Sequence, residues 1–545
     1  MKTNVSLCIA AALMVAACGD PSHRHNSGEK VSVINSEPDE VIEEDVEIIS
    51  DEAALMEPSA NATSKMILSS PPQQRNAETY KEIKENSFVA VAQQPVTTFS
   101  ADVDRAAYAN VRRIIGYGQI PPKDAVRIEE MVNYFDYDYP TPEEGSTSPL
   151  RVSPELAPAP WNPNHLLLRI GLQAKKIDLA KAPPSNIVFL IDVSGSMDEE
   201  NKLPLLKSSF KMLLGQLRPD DKIAIVTYAN GTKVVLPSTS VKDKEKIIKV
   251  LDNLYASGGT SGGKGIQLAY EQAQKSFIKN GNNRIILATD GDFNIGINNT
   301  TDLEKFIEKQ RESGIYMSVL GFGIGNYRDD MAETIADKGN GNYAYIDNIT
   351  EAKKVLVNEL SGTLFAVAKD VKLQLEFNPK YVKEYKLIGY ENRMLANEDF
   401  TNDKKDAGEI GAGHTVTALY ELVPSDGKVA QSLRYQSQEL NEKGKGNELG
   451  FLKIRYKDPK VKDAKSVEIT EPLVFNKKAL KETSTDYRFA ASVAEFGILL
   501  RDNSNKANAT YDQVIELAEG AIGKDPEGYR KEFVRLVKSV KMLPK

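Results

Sequence analysis

Residues 187–197 read Ile187-Val188-Phe189-Leu190-Ile191-Asp192-Val193-Ser194-Gly195-Ser196-Met197. Five consecutive apolar residues predict a parallel strand buried on both faces, because a half-exposed strand would alternate. Outward from this run, strands and helices alternate. A helix is expected at 203–217, a strand at 223–228, a short apolar run at 234–236 and a helix at 243–254. A glycine-rich loop at 257–263 opens a helix ending near residue 278. Next come strand 284–289, helix 302–312, strand 316–322, helix 329–338, a short strand 343–345 and helix 351–360. This succession predicts an α/β unit, a doubly wound and mostly parallel sheet, over residues 184–362. Sites in such sheets form at the carboxyl ends of the strands, and Asp192 and Asp290 each follow a strand directly.

The oxygen-bearing residues there are Asp192, Ser194, Ser196, Thr260 and Asp290. Hard oxygen donors are what Mg²⁺ requires: three hydroxyls supply neutral ligands, and two carboxylates, direct or through water, balance its charge. In this order and context, residues 186–362 resemble a von Willebrand factor type A domain with a complete metal-ion-dependent adhesion site. The five residues match that family's five site positions. The resemblance implies a central, mostly parallel sheet flanked by helices and a site for Mg²⁺, with Mn²⁺ or Ca²⁺ as alternatives. It also implies that the carboxylate of a protein partner completes the metal's shell. The flanks, including 99–135 and 377–390, resemble a group of bacterial lipoproteins that carry this domain.

Two other motifs overlap the glycine loop. Gly258-x₄-Gly263-Lys264 approaches a phosphate-binding loop, but Gly265 stands where a Ser or Thr would hold Mg²⁺, and a helix precedes it; no nucleotide is expected. Gly259-Thr260-Ser261-Gly262-Gly263 matches GxSxG, yet lacks the preceding strand of a nucleophile elbow, and only His414 follows it. Both glycine sets read better as a loop that lets Thr260 reach an ion. Asp198, Glu199 and Glu200 read as an exposed first helical turn; Asp292 is equally a second-layer acid or a turn residue.

The 545-residue chain is too long for one domain, and its 41 % hydrophobic and 27 % charged residues suit a soluble globular protein. Cys8 and Cys18 are the only cysteines, which excludes a disulfide framework or a zinc–thiolate site in the folded part. Four histidines without HExxH exclude a zincin, and a net charge of −8 offers nothing to nucleic acid.

Residues 1–17 read as a signal peptide: Lys2, then an apolar run over 7–17 that is too short to span a bilayer. The run ends in Val15-Ala16-Ala17-Cys18, which resembles a bacterial lipobox with Cys18 as the lipidated residue. Gly19, rather than Asp, favours the outer membrane over the inner one. Residues 18–86 are expected to be a lipid-anchored acidic tether. Between Glu29 and Glu57 eleven acids face one base, a net −10 that exceeds the charge of the whole chain. Val41, Ile42, Val46, Ile48 and Ile49 leave a docking strand open; a solvated spacer is the favoured reading.

The flanks divide further. Residues 87–150 are read as helical, with Asp102 and Asp104 ahead of the first run. The seven prolines of 140–163 predict extended or looped chain, and 151–183 supply a strand at 166–172. After residue 362 the period becomes 2, with strands expected at 371–377, 385–390, 415–422, 448–456 and 467–469. Residues 363–478 are thus expected to form a β-sandwich that the strand at 166–172 joins, so that the α/β domain is inserted in or flanked by it. Residues 479–545 read as helical, with Phe489, Val493, Phe496, Leu499 and Leu500 facing a core.

These readings converge on a non-enzymatic bacterial envelope lipoprotein, held at the membrane by lipid alone. Its central domain is expected to bind a divalent cation and, through it, an acidic residue of another protein. The alternatives are a metal-assisted hydrolase using the same ion, and a structural scaffold without metal-gated binding.

Overall fold

The computed structural model describes residues 78–101, 104–259, 262–291, 300–426, 446–461, 464–502 and 506–544. The expected signal peptide over 1–17, Cys18, the acidic run 29–57, Asp102, Thr260, Ser261 and Asp292 lie outside the described residues.

The chain enters through short strands β1 (Val89–Ala90) and β2 (Val96–Ser100), then helices α1 (Ala106–Gly116) and α2 (Ile128–Asn133). A long antiparallel pair follows, β3 (Leu150–Ala159) and β4 (Asn162–Ala174). The α/β unit then runs β5 (Ser185–Asp192), α3 (Leu203–Gln216), β6 (Lys222–Tyr228), β7 (Thr232–Ser240), α4 (Lys244–Asp252), α5 (Gly262–Lys275), β8 (Asn282–Thr289), α6 (Thr300–Arg311), β9 (Ile315–Gly321), α7 (Asp329–Lys338) and β10 (Tyr343–Tyr345). Helices α8 (Ile349–Lys353) and α9 (Leu360–Leu364) close it. The expected single helix over 351–360 is instead interrupted by a π turn, Lys354–Asn358.

The six strands of this unit are ordered β10-β9-β8-β5-β6-β7, parallel except for the antiparallel edge strand β7. The run at β5 is continuous because both faces are covered. Ile187, Phe189 and Ile191 share a core with Leu206, Phe210 and Leu213 of α3. Val188 and Leu190 share the opposite core with Ile266 and Ala269 of α5, Ile307 of α6 and Ile335 of α7.

The second half supplies β11 (Ala366–Phe377), β12 (Val382–Ile388), β13 (Gly408–Gly411), β14 (Thr415–Pro424), β15 (Glu448–Lys457) and β16 (Val467–Val474). They form two sheets, β1-β12-β14-β4-β3 and β13-β11-β15-β16 with β2 alongside β11. Leu166, Leu168, Ile170 and Leu172 of β4 pack in one core with Leu373 and Leu375 of β11 and Leu452 and Ile454 of β15. Because β4 precedes the α/β unit and pairs with β14 beyond it, that unit is inserted into the sandwich. Pro154 and Pro158, expected in a loop or extended segment, lie in β3, an edge strand that needs donors on one side only.

Helices α10 (Thr485–Leu500), α11 (Tyr511–Glu519) and α12 (Tyr529–Met542) end the fold. They share one core with α1 and α2: Tyr108, Met131 and Phe135 meet Phe489, Val493, Phe496 and Phe533. Leu167, the opposite face of β4, points into this helical core, so one strand serves two cores.

The expected tether ends earlier than residue 86. Glu78 receives both Arg113 terminal nitrogens at 3.0 and 2.9 Å, and Thr79 bridges to Arg328. Asn86 Nδ2 donates to the carbonyls of Leu387 and Gly389. Residues 78–86 are therefore part of the folded body: the Glu78 carboxylate is the partner of nearly buried Arg113, and a solvated spacer would leave that guanidinium bare. Asp104 also differs from expectation. It does not cap α1; it accepts from Tyr343 N at 2.8 Å and pairs with Arg393 at 3.1 Å.

Candidate functional site

Chain progression reverses between β5 and β8: the strands after β5 go to one side, and β8, β9 and β10 to the other. Loops diverge at such a switch point and leave a crevice at the strands' carboxyl ends. Asp192 is the last residue of β5 and Asp290 the first after β8, so both acids stand at that crevice, each 0 % exposed.

The loop after β5 is set by its own polar atoms. Asp192 Oδ1 accepts from Ser194 N at 2.9 Å, a turn typical of aspartate. Ser194 Oγ and Ser196 Oγ lie 3.0 Å apart, and Met197 anchors the loop in the α3-side core. A second loop is zipped onto the first: Ser257 N donates to Val193 O and Gly195 N to Gly258 O, both at 2.8 Å. Gly258 has φ +80°, and a Cβ there would collide with Asn230, so the position requires glycine. This second loop leads to Thr260, which lies outside the described residues.

Burial pushes the Asp192 carboxyl up to about 6; the nearby charge of Asp290 adds to the rise, and bonds from Ser194 and Tyr228 oppose it. Among the described residues, no Lys, Arg or His stands within ion-pairing distance of Asp192. A buried carboxylate without a cation is costly, and a bound cation would relieve that cost.

Lys202 is a site residue that motif reading passes over. Its Nζ lies 3.2 Å from Asp290 Oδ2 and donates to the carbonyl of Ser196 at 2.8 Å. It also reaches exposed Glu199 at 3.3 Å, and it is itself only 3 % exposed. One signal could have found it: Lys202 sits at the N-cap of α3, where the helix dipole disfavours a cation.

The structure thus brings together Asp192, Ser194, Ser196 and Asp290, and adds Lys202. The donors are all oxygen, which suits a hard divalent cation and not a thiophilic one. Among the described residues, no three His, Cys, Asp or Glu side chains converge into a metal-binding group, so the hydroxyls would be essential ligands. Neither described histidine reaches the acids as a base: His165 Nδ1 is 2.6 Å from Glu421, and His414 is packed against Gly362. Burial and Arg105 hold the His414 imidazole down to about 3, hence neutral. Gly265, in the phosphate-loop lookalike, packs against the Tyr228 ring.

The family model for the von Willebrand factor type A domain matches residues 186–358. One described as von Willebrand factor matches 74–169, and one described as the C-terminal region of the uncharacterized protein YfbK matches 362–543. The uncharacterized protein YfbK of Escherichia coli is 48 % identical over 465 residues, covering 84 % of this chain and 80 % of that one. The uncharacterized protein sll0103 of Synechocystis is 26 % identical over 326 residues, covering 60 % and 74 %. Among solved structures, a von Willebrand factor type A protein from Catenulispora acidiphila matches with a TM-score of 0.39 at 14 % identity, over 84 % of this chain and 91 % of that one. With three family models in succession and near-half identity over most of its length, the chain belongs to the YfbK family of bacterial proteins, built around a von Willebrand factor type A domain.

Proposed function

We propose that this protein binds a divalent cation, Mg²⁺ foremost, at Asp192, Ser194, Ser196, Thr260 and Asp290, and through it captures a carboxylate of another protein. The observation that carries the reading is Asp192: fully buried, with no cation partner among the described residues, beside a second buried acid and two hydroxyls. Lys202 answers Asp290, so it is Asp192 that stays expensive unless a further cation completes the set. The bound ion would supply a Lewis-acidic position open to an incoming carboxylate. The chain's own residues hold the site in shape: Ser194 N–H orients Asp192, Gly258 O fixes Gly195, and Met197 anchors the loop. The role that follows from this is adhesion or protein–protein interaction.

The protein is placed in the bacterial envelope by lipid on Cys18, with the outer membrane favoured. Among the described residues, no helix is long and apolar enough to cross a membrane. Isothermal titration of the full chain with Mg²⁺, beside Asp290→Ala, tests the site: saturable binding lost in the variant is expected. Equal heats in both would overturn it. Retention of Cys18→Ser on washed membranes would overturn the lipid anchor.

A further inference from the structure

The crevice holds three buried charges: Asp192, Asp290 and the Lys202 ammonium. Resting on the reading above, we propose that Lys202 is a built-in counter-ion that lowers the site's affinity for the divalent cation and raises the loaded site's affinity for an external carboxylate.

The charge count carries the argument. Two carboxylates alone would neutralise a divalent cation, because Ser194, Ser196 and Thr260 are neutral ligands. A neutral centre exerts little net pull on an acid. With Lys202 the same centre, loaded, carries +1 and is balanced by one incoming carboxylate. Glu199 does not cancel Lys202, since its side chain is 59 % exposed and screened by water. Arg328 near the crevice is likewise exposed.

Lys202 is held where it is. Its ammonium is tied to Asp290 and to the Ser196 carbonyl, within the motif itself. Its stem runs under Gly323, whose φ is +80° and whose missing Cβ makes the room. The Gly323 loop is braced in turn, since Glu78 accepts from Gly325 N at 2.9 Å. The ammonium therefore cannot withdraw into solvent without moving a packed loop. The ammonium lies 3.2 Å from an acid that would hold the ion, so ion and ammonium would oppose each other at a shared carboxylate.

The test measures two affinities on the full-length chain in detergent. Mg²⁺ binding is read by isothermal titration; acetate binding is read on the Mn²⁺-loaded protein by water-proton relaxation. Lys202→Met keeps the stem and removes the charge; Lys202→Gln does so with a polar end, and serves if the Met variant does not fold. Both are expected to bind Mg²⁺ about ten-fold tighter or more, and acetate about three-fold weaker or more. Opposite signs are what a purely structural role cannot give. Losing both affinities together, or changing neither, would overturn the proposal, as would tighter Mg²⁺ with unchanged acetate. Absence of Mg²⁺ and Mn²⁺ binding in the wild type would instead overturn the metal site itself.

Discussion

Asp192 joins a cost to folding with a proposed role in holding the cation. Its carboxylate is buried without a cation among the described residues, so replacing it with neutral Asn of the same shape removes a cost. Asp192→Asn is expected to raise the metal-free unfolding free energy at pH 8 by about 1–3 kcal/mol, while Mg²⁺ binding is lost. Urea denaturation with and without Mg²⁺ checks both halves; a destabilised metal-free variant would contradict the cost. Glu495 provides a control far from the site. It is 0 % exposed in α10, and burial pushes its carboxyl up to about 8. Because the native state holds this proton more tightly than the unfolded chain, its stabilising effect is full below about pH 4.5 and is lost as pH rises through about 8. Glu495→Gln should therefore flatten the fall in stability between those values and gain a few kcal/mol at pH 8–9. Melting curves across pH 5–9 would show it; unchanged pH dependence would refute it. Asp192 and Ser194 were legible because their spacing after an apolar run is local. Lys202 was not, because its partner Asp290 lies 88 positions away and the acids just before it read as an exposed first helical turn.

At the scale of elements, legibility follows how local the determining contacts are. The strands of the α/β unit carry their evidence in their own composition: continuous apolar runs mean two covered faces. The π turn at 354–358 has no such mark; buried Lys354 at its start pairs with Glu359 just past its end. Prolines left β3 open between extended and looped chain, and its edge position beside β4 is what lets it be a strand. Docking of α2 onto α7 is equally invisible locally. Arg127, just ahead of α2, donates to both oxygens of Asp329 at 2.6 and 3.2 Å and also pairs with Glu130. Asp329 opens α7 and receives Asn110 and Tyr343 as well. All three charges are nearly inaccessible, so removing the cation strands two acids. Arg127→Met is expected to cost about 3–5 kcal/mol, read as a lower urea midpoint; a change below about 1 kcal/mol would show that the acids find other partners.

On the scale of the whole molecule, the insertion was legible and the joints were not. The change from a helical to a two-residue period after 362 announces a β domain, and β4 supplies its missing strand from before the insertion. What fastens the parts together is a set of buried ion pairs between residues hundreds of positions apart. Arg112 of α1 alone reaches Asp347, Glu351 and Glu532. The same physics moves the start of the folded body to residue 78. The Glu78 side chain is 1 % exposed, and Arg113 holds its carboxyl below the usual range despite burial. It also braces the loop that covers Lys202. A chain beginning at residue 77 should therefore melt like the full-length protein. One beginning at 88 leaves Arg113 buried without its acid and Gly325 N without its acceptor, and should lose about 2–4 kcal/mol. Its Mg²⁺ affinity should also change several-fold, because the Gly323 loop that seats Lys202 is no longer braced, whereas Glu495→Gln should leave Mg²⁺ affinity alone. Paired melts and Mg²⁺ titrations of the two truncations decide it. Equal melting points would mean that 78–86 merely lies on the surface, and a lower melting point with unchanged Mg²⁺ affinity would confine the segment's role to stability.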